Sequence, residues 1–328
     1  MIDIKYGEKQ FYDIKQYCLT EGKANGVQCI DLDLGDLCYT LISDRCLDIG
    51  SVKYRGKQYA FLSSNGIVSP FYYNPDGYGW LESFAGGLLV TCGLENAGEP
   101  NEFNGIKHGL HGRISSIPAQ NVYIKRINQS GEVHITISGT VNETRLLGLN
   151  YMLHRTVKSV VGGNYIEVSD SITNCSDFAQ PLMLLYHLNF GYPIISPESI
   201  LKIPGSGKIE PFDEIAQKGL EHWDKFLPPD SGVQEEVFLH KIKKSAPGEF
   251  SITNPVYNPE IGLNVQFSND SLPYLALWKS QRIGEYAAAL EPCNNHVRGL
   301  AWEHENGDLR MLNPGETENT SIVFTFFG

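Results

Sequence analysis

Residues 155–171 read RTVKSVVGGNYIEVSDS, so that two strand-like runs flank the tripeptide Gly162-Gly163-Asn164. Both runs are rich in β-branched residues, which favour strands. A short connection of glycine and asparagine between two such runs is typical of a β-hairpin. The stretch therefore predicts two antiparallel strands.

Strand-like segments recur along the rest of the chain. Residues 28–35 alternate, with Ile30, Leu32 and Leu34 on one face, and residues 182–186 form a continuous apolar run that is typical of a buried strand. Similar short segments occur at residues 38–42, 133–137, 264–267, 274–278, 286–290 and 321–327. Helical patterns are scarce, and residues 211–219 predict one or two turns.

This pattern predicts an all-β sandwich or barrel. No linker-like change of composition divides the chain, so residues 1–328 are interpreted as a single domain. Residues 193–255 are rich in Pro, Lys and Glu, and they are predicted to form an excursion from the sheets.

Composition restricts the classes of partner. The chain has 26 Lys and Arg against 38 Asp and Glu, a net charge of −12, and no basic run, which disfavours nucleic acid. No apolar run approaches the roughly 18 residues of a membrane span.

Seven cysteines with no Cys-x-x-Cys pair, together with an N-terminus that lacks a signal-peptide pattern, predict free thiols in a cytoplasmic protein. The sequence leaves the oligomeric state open, including a homo-oligomer.

The densest group of reactive side chains lies in a glycine-rich stretch, residues 80–118. It contains seven glycines between Gly86 and Gly112, together with His108, His111, Arg113 and four glutamates. Glycine allows close approach of the backbone to a ligand, and long aperiodic loops are frequently functional. A plain surface loop is the alternative interpretation.

Three further segments carry candidate chemistry. Residues 43–50 place Arg45 between two aspartates, and His187 and Glu291 each end an apolar run. An ionisable side chain at the end of a buried strand can be partly desolvated and still meet a ligand. A hydrogen-bonded histidine and a salt-bridged glutamate at the edge of the core are the structural alternative.

These residues resemble those of the aldose 1-epimerase (galactose mutarotase) superfamily, and most closely a mutarotase-like branch. The resemblance rests on three segments: RCLDIG at residues 45–50, GGLLVTCGL at residues 86–94 and LHGRI at residues 110–114. It implies a mutarotase-like β-supersandwich of two large, mostly antiparallel sheets. It also implies that His111, His187 and Glu291 correspond to the two histidines and the general base of that superfamily.

The chain departs from the superfamily at one position. Mutarotases usually carry an arginine upstream of the first histidine, whereas Ala85 precedes the Gly86-Gly87 pair here. Arg45 and Arg113 are the candidates to replace that arginine.

The resemblance implies an isomerase that interconverts sugar anomers by acid/base ring opening, with no cofactor and no metal. Glu291 is assigned as the base and His187 as the acid, since a carboxylate and an imidazolium suit these roles. His111 is expected to bind and polarise the ring side of the sugar or to share the acid role. The predicted sugar-binding residues are Arg45, Asp48, Trp80, His108, Arg113, Asn189, Trp278 and Lys279.

Two other functions stay open. His108 and His111 could bind a metal with Glu95 or Glu102 in a metal-dependent sugar isomerase, although the His-x-x-His spacing is common. Alternatively, the chain could be a catalytically silent sugar-binding protein, which the missing arginine favours and the retained His111, His187 and Glu291 oppose.

Overall fold

A computed structural model describes residues 6–328 of the chain. Antiparallel strands dominate these residues, and two large sheets face each other, which confirms the predicted all-β sandwich of two large, mostly antiparallel sheets. The hairpin predicted at residues 155–171 is present, with Val157 paired to Val168 across the Gly162-Gly163-Asn164 turn.

The N-terminal strands form a five-stranded sheet in simple chain order, which the sequence did not indicate as a separate sheet. Its strands are β1 (Asp13–Cys18), β2 (Gln28–Asp33), β3 (Leu37–Ile42), β4 (Asp48–Tyr54) and β5 (Lys57–Gln58).

The middle of the chain supplies strands to both large sheets and to two small two-stranded sheets. Its strands are β6 (Val90–Leu94), β7 (Asn101–Phe103), β8 (Ile106–His108), β9 (Gln120–Gln129), β10 (Glu132–Thr144), β11 (Asn150–Val160), β12 (Tyr165–Asn174), β13 (Gln180–Pro181) and β14 (Met183–Gly191). The small sheets are β7-β8 and the pair of β13 with β22 (Met311–Leu312). The strand predicted at residues 182–186 is present from Met183 onward as the first part of β14, whose nine residues are all buried.

The last part of the chain completes both sheets. Its strands are β15 (Ile200–Lys202), β16 (Ser206–Pro211), β17 (Glu236–Ile242), β18 (Gly248–Asn254), β19 (Ile261–Phe267), β20 (Tyr274–Arg282), β21 (Glu285–Cys293), β22 (Met311–Leu312) and β23 (Thr317–Phe327). Two short α-helices, α1 (Glu214–Gly219) and α2 (Leu300–Asn306), lie between them; α1 falls within the helix predicted at residues 211–219.

The eight-stranded sheet has the order β15-β18-β19-β23-β12-β11-β10-β9, and the six-stranded sheet has the order β16-β17-β20-β21-β14-β6. The prediction that residues 193–255 leave the sheets was wrong. Strands β15 to β18 from that region pair into the two large sheets, because long-range pairing overrides a composition rich in Pro, Lys and Glu.

The two faces of the six-stranded sheet bury different clusters. One face, here called the inner face, packs Tyr186, Leu188 and Leu290 into the main core, together with apolar residues of the eight-stranded sheet. The other face, here called the outer face, carries a smaller cluster that includes Leu185 and Cys293. Because successive side chains of a strand point to opposite faces, neighbours in sequence belong to different clusters.

Arg155 is the centre of a buried polar network on the inner side. Its guanidinium bonds both carboxylate oxygens of Asp170, at 2.9 and 2.6 Å, and the Asp48 carboxylate at 2.5 Å. It also donates to the Thr91 hydroxyl at 2.8 Å, and the Tyr186 hydroxyl donates to Asp170 at 2.6 Å. These contacts link strands of all three larger sheets.

All seven cysteines are free thiols in the structure. Within residues 6–328, no helix combines the length and the apolar character that crossing a membrane requires.

Candidate functional site

His187 and Glu291 meet on the outer face of the six-stranded sheet. The antiparallel register that pairs Leu188 with Leu290 places His187 on β14 opposite Glu291 on β21. His187 Nε2 lies 3.2 Å from Glu291 Oε1, although the two residues are 104 positions apart in the chain. Both side chains are buried, with 5% and 3% of their surface exposed. The contact is suited to sharing a proton.

Burial shifts both groups toward their neutral forms. It raises the pKa of Glu291 to about 8, and the charge of Glu235 acts in the same direction. Burial also lowers the pKa of His187 to about 4, against a hydrogen-bond contribution from Asn189. Near neutral pH the pair therefore holds one proton, which in the ligand-free protein resides on the carboxyl group.

Two polar atoms beside the pair are buried and lie outside hydrogen-bond geometry among the described residues, although the Asn189 side chain is close enough to His187 to raise its pKa. They are His187 Nδ1 and Asn189 Oδ1. The Asn189 amide group donates instead to the carbonyl oxygens of Gly87 and His187, at 3.0 and 2.9 Å. Unpaired buried polar atoms are costly, and they mark places where a structure is incomplete without a ligand or is functionally strained.

Four aromatic rings surround His187. Their centroids lie 5.2 Å (Phe84), 5.5 Å (His111), 5.9 Å (Trp80) and 5.9 Å (Trp278) from the imidazole centroid. Trp80 also stacks on Phe84 at 4.6 Å and contacts His111 at 4.8 Å. Such rings exclude water from the pair, and flat aromatic faces suit the apolar face of a sugar ring.

The glycine-rich loop fixes the orientation of His111. Its backbone has φ = 57°, its N–H donates to the Gly98 carbonyl at 2.9 Å, and its carbonyl accepts from the Gly93 N–H at 3.0 Å. The Gly98 N–H also donates to His111 Nδ1 at 3.3 Å, so the hydrogen of the neutral imidazole resides on Nε2. Burial, and then the neighbouring His187, hold the pKa of His111 well below its usual range. His111 is therefore a neutral donor through Nε2.

Gly93 and Gly112 explain why this loop needs glycine. A Cβ at Gly93 would lie 2.2 Å from the Met183 carbonyl oxygen, and one at Gly112 would lie 2.3 Å from the Gly93 carbonyl oxygen. Both residues also have positive φ. The backbone around His111 thus packs too closely on β6 and β14 for any side chain at these positions.

Arg45 is buried beside the site rather than inside it. Its Nη1 donates to the Val68 carbonyl at 3.0 Å. Arg45 lines a small cleft that Phe84 also lines, and the ring of Phe84 contacts His187. Phe84 is therefore the residue that the Arg45 cleft shares with the surroundings of His187.

The structure does not bring Asp48 or Lys279 to His187. Asp48 accepts hydrogen bonds from Arg155 and Thr91 within the inner polar network. Lys279 Nζ lies 2.9 Å from the Glu236 carboxylate, on the opposite face of β20 from Trp278. Strand alternation sends consecutive side chains to opposite faces, so Trp278 and Lys279 cannot share one site.

Arg113 and His108 are engaged elsewhere in the loop. Arg113 Nε bonds Glu143 at 3.0 Å. His108 Nδ1 lies 3.9 Å from the Glu95 carboxylate, which in turn binds Arg145 at 2.8 Å. Over residues 6–328, no three His, Cys, Asp or Glu side chains are grouped as metal ligands. The predicted residues that do come together are His111, His187, Glu291, Trp80, Trp278 and Asn189.

Sequence reasoning missed two members of the site. Phe84 lies only four residues after Trp80, so the spacing of the aromatic residues could have indicated it. Glu235, whose carboxylate accepts from Trp278 Nε1 at 2.7 Å, precedes β17 and has no local signal in the sequence.

The chain is similar to three solved structures in particular. One is a "putative aldose 1-epimerase" from Klebsiella pneumoniae subsp. pneumoniae MGH 78578, with 26% identity and a TM-score of 0.90 over 96% of this chain and 83% of that chain. A galactose mutarotase-like protein from Clostridium acetobutylicum has 15% identity and a TM-score of 0.62 over 97% and 98% of the two chains. Galactose 1-epimerase from Lactobacillus acidophilus NCFM has 13% identity and a TM-score of 0.60 over 96% and 98%.

The latter two likenesses show the fold alone. No curated protein matches this chain. The match to a protein family covers residues 24–326, which is most of the chain. The chain therefore belongs to the family described as "Domain of unknown function (DUF4432)", and its fold is that of the galactose mutarotase-like proteins.

Proposed function

We propose that this protein is an aldose 1-epimerase-like isomerase that interconverts the anomers of a sugar. The observation that carries the proposal is the 3.2 Å contact between His187 Nε2 and Glu291 Oε1 on the outer face. Both groups can exchange protons and are buried, and His187 is surrounded by aromatic rings. Anomer interconversion needs one group that removes a proton and one that supplies a proton at the same time.

The shared proton gives each group its role once a sugar is bound. In the ligand-free protein, burial keeps the proton on Glu291. A sugar whose hydroxyl donates to the Glu291 carboxylate stabilises the ionised form, so the proton moves to His187. The complex then contains a carboxylate base and an imidazolium acid.

Ring opening follows from this arrangement. Glu291 takes the proton of the anomeric hydroxyl while the C1–O bond of the ring breaks and a carbonyl forms at C1. His187 gives its proton to the ring oxygen at the same time, so that no net charge is gained. Rotation about the C1–C2 bond and the reverse proton transfers close the ring on the other face. His111 Nε2–H is placed to donate to a sugar oxygen during these steps.

One comparison supports the reaction class. The similar chain from Klebsiella pneumoniae is described as a "putative aldose 1-epimerase", and it is similar to this chain over nearly its whole length.

A silent sugar-binding protein is the second candidate. The observation that favours it is that Arg45 and Arg113, the predicted replacements for the missing mutarotase arginine, bond to Val68 and Glu143. Such a protein would bind a sugar through Trp80 and Trp278 without exchanging its anomers.

Two-dimensional NMR exchange spectroscopy on a panel of aldoses tests the proposal. We expect wild-type protein to accelerate α/β exchange of at least one aldose above the buffer rate, and Glu291→Gln to abolish most of that acceleration. Binding without any acceleration across the panel would identify the silent binder and overturn the proposed reaction.

A further inference from the structure

Arg298 forms no ion pair with a carboxylate among the described residues, a property that it shares with Arg45. Arg113 and Arg145 each form an ion pair. The guanidinium of Arg298 is held by aromatic rings instead: its central carbon lies 4.3 Å from the ring centroid of Phe212. This leaves a partly buried cation without a counter-ion.

The backbone of Arg298 starts beside His111. Gly98 and Arg298 form an isolated antiparallel β-bridge, and the Glu99 N–H donates to the Val297 carbonyl at 3.1 Å. Gly98 is also the residue whose N–H bonds His111 Nδ1. The Cα atom of Arg298 therefore lies at the edge of the candidate site, next to the residue that bonds His111.

The guanidinium of Arg298 lies beside Phe212, at the β16 edge of the six-stranded sheet. Its Nη2 donates to the Phe212 carbonyl at 2.8 Å. The Phe212 N–H in turn bonds Val237 on β17, and Val237 pairs with Trp278 on β20. Phe212 directly follows β16, which is three strands from β21, so the carbonyl that binds the guanidinium lies about 14 Å from the strand of Glu291 across the sheet. In the order of strands, Arg298 therefore lies on the β16 side of Glu291, whereas Trp80 and Phe84 contact His187 on β14, the other neighbour of β21.

The free donors of Arg298 suit two neighbouring oxygens. A guanidinium has five N–H bonds in a planar fork. The Phe212 carbonyl accepts one of them. Trp302, whose ring centroid lies 5.9 Å from the central carbon, contributes a second aromatic contact. With its orientation set by these rings, the remaining edge of the fork can bind a pair of adjacent hydroxyls or one carboxylate.

The charges of the surrounding side chains favour a pair of hydroxyls over a carboxylate as the ligand of Arg298. The surrounding carboxylates outnumber the cations: Glu235 bonds Trp278, and His296 contacts both Glu303 at 3.1 Å and Asp308 at 4.0 Å. Glu210 is close enough that Arg298 helps to lower its pKa, after the larger effect of Lys208. An anionic sugar would meet this negative rim, whereas a neutral sugar would not.

We propose that Arg298 is a specificity-determining residue that binds two adjacent hydroxyls of a neutral aldose, at the end of the sugar away from C1. The inference rests on the proposed function for the placement of C1 at His187 and Glu291. Arg298 then supplies the arginine contact that Arg45 and Arg113 do not make, from a different part of the chain.

Binding measured separately from turnover tests this inference. Calorimetric or NMR titration would use D-glucose, D-galactose, D-mannose and D-xylose, their monodeoxy derivatives, and a hexuronate and a hexose phosphate as anionic probes. Arg298→Met keeps the apolar stem on Phe212, and Arg298→Lys keeps the charge but removes the fork. We expect Arg298→Met to weaken binding of the preferred neutral aldose about 10- to 100-fold, since charge-assisted hydrogen bonds are lost. Arg298→Lys should recover only part of the affinity.

The monodeoxy sugars distinguish contact from a merely structural role. Removing either hydroxyl that Arg298 binds should weaken wild-type binding, with little further loss in Arg298→Met, whereas other deoxy positions should affect both proteins equally. In turnover, KM should rise while kcat changes less than about threefold. Arg282→Met, at an exposed arginine at the end of β20, is the matched control and should bind as wild type does.

The outcomes separate this inference from the proposed function. Unchanged affinity in Arg298→Met, an equal loss at every deoxy position, or tighter binding of the anionic probes would overturn the role of Arg298 even if anomers exchange. An Arg298-dependent affinity without anomer exchange would overturn the proposed reaction and leave the role of Arg298 intact. Failure of wild type to bind any sugar of the panel would overturn both.

Discussion

The two faces of the six-stranded sheet bury two polar clusters that differ in how completely they are paired. On the inner face, Arg155 bonds Asp170, Asp48 and Thr91, and Tyr186 completes the network. On the outer face, His187 and Glu291 contact each other, while Nδ1 of His187 lies outside hydrogen-bond geometry among the described residues. Tyr186 and His187 are adjacent in β14, yet the side chain of Tyr186 belongs to the fully paired cluster and that of His187 to the incompletely paired one.

The difference indicates different roles. A buried network whose donors and acceptors are all matched stabilises one arrangement of strands, and it has nothing left to offer a ligand. A pair with an atom outside hydrogen-bond geometry, and with pKa values shifted so that the neutral form of each group is favoured, has capacity left for protons and hydroxyls. Burial alone does not separate the clusters, since both are almost inaccessible to solvent.

The largest expected effect is on turnover and comes from the outer pair. Glu291→Gln keeps the volume and removes the base, and His187→Asn removes the acid. Each should lower kcat about 10²- to 10⁴-fold, with smaller changes in KM, because general acid–base catalysis contributes about that factor. The double variant should lose far less than the product of the two, since the residues act as a unit. NMR exchange with an accepted aldose measures all three variants.

His240→Asn is the matched control for this test. His240 is also fully buried, with its pKa lowered to about 4 by burial, but it lies on β17 with its ring bonded to Ser206. It should keep kcat close to that of wild type. If His187→Asn and Glu291→Gln match wild type, or if His240→Asn loses as much as they do, the pair is not the catalyst.

The next effect is on stability and comes from the inner network. Asp170→Asn keeps the shape of the side chain but leaves Arg155 buried with one counter-ion fewer, which should lower the free energy of unfolding by about 3–5 kcal/mol. Urea denaturation measures the change. Glu167→Gln, on the same strand but in a solvent-exposed pair with Lys158, should cost about 0–1 kcal/mol. A loss of kcat per folded molecule in Asp170→Asn would contradict the division of roles between the faces.

Glu291→Gln should stabilise the protein at high pH even though it removes activity. The carboxyl group has a pKa of about 8 in the folded protein and a reference value of 4.5. The folded state therefore holds a proton that the unfolded state has released, and wild-type stability falls as pH rises from 4.5 through 8. The gain of the variant should be near zero at pH 4.5 and on the order of 2–5 kcal/mol at pH 9. Equal gains at both pH values, measured by thermal unfolding, would show that burial does not penalise the Glu291 charge.

The smallest expected effect is that of chelation. Proton transfer between Glu291, the sugar and His187 requires no ion, so exhaustive treatment with a chelator should leave the rate of anomer exchange unchanged. A matched sample to which Zn²⁺ and Mg²⁺ are returned is the control. Loss of activity on chelation, with recovery on adding a divalent ion, would instead support a metal site at His108 and His111.

The parts of the structure that follow local rules were predictable from the sequence. The hairpin around Gly162-Gly163-Asn164 depends on turn chemistry and alternation over a few residues, and both are visible in the chain. The buried strand at residues 182–186 follows from its continuous apolar run. His187 and Glu291 were predicted as partners because each ends an apolar run and because the chain resembles the mutarotases.

The parts that depend on register and long-range pairing were not predictable in the same way. Trp278 and Lys279 were both predicted to bind the sugar, yet Lys279 pairs with Glu236 on the other face of β20. The alternation of side chains along a strand could have indicated that two consecutive residues do not share one site. Nothing local shows that Asp48 binds Arg155, 107 positions away in the chain. Arg298 was overlooked because its relation to His111 passes through a backbone bridge at Gly98, which no motif encodes.

The position of β23 has a consequence for biosynthesis. This strand lies between β12 and β19 in the eight-stranded sheet, pairing Val168 with Ile322 on one side and Val265 with Phe324 on the other. On the ribosome, β12 and β19 are made first and present open, apolar strand edges until β23 emerges, and such edges promote association between nascent chains. Slower translation at low temperature, or a chaperone that covers these edges, should therefore raise the soluble yield without any change in the sequence.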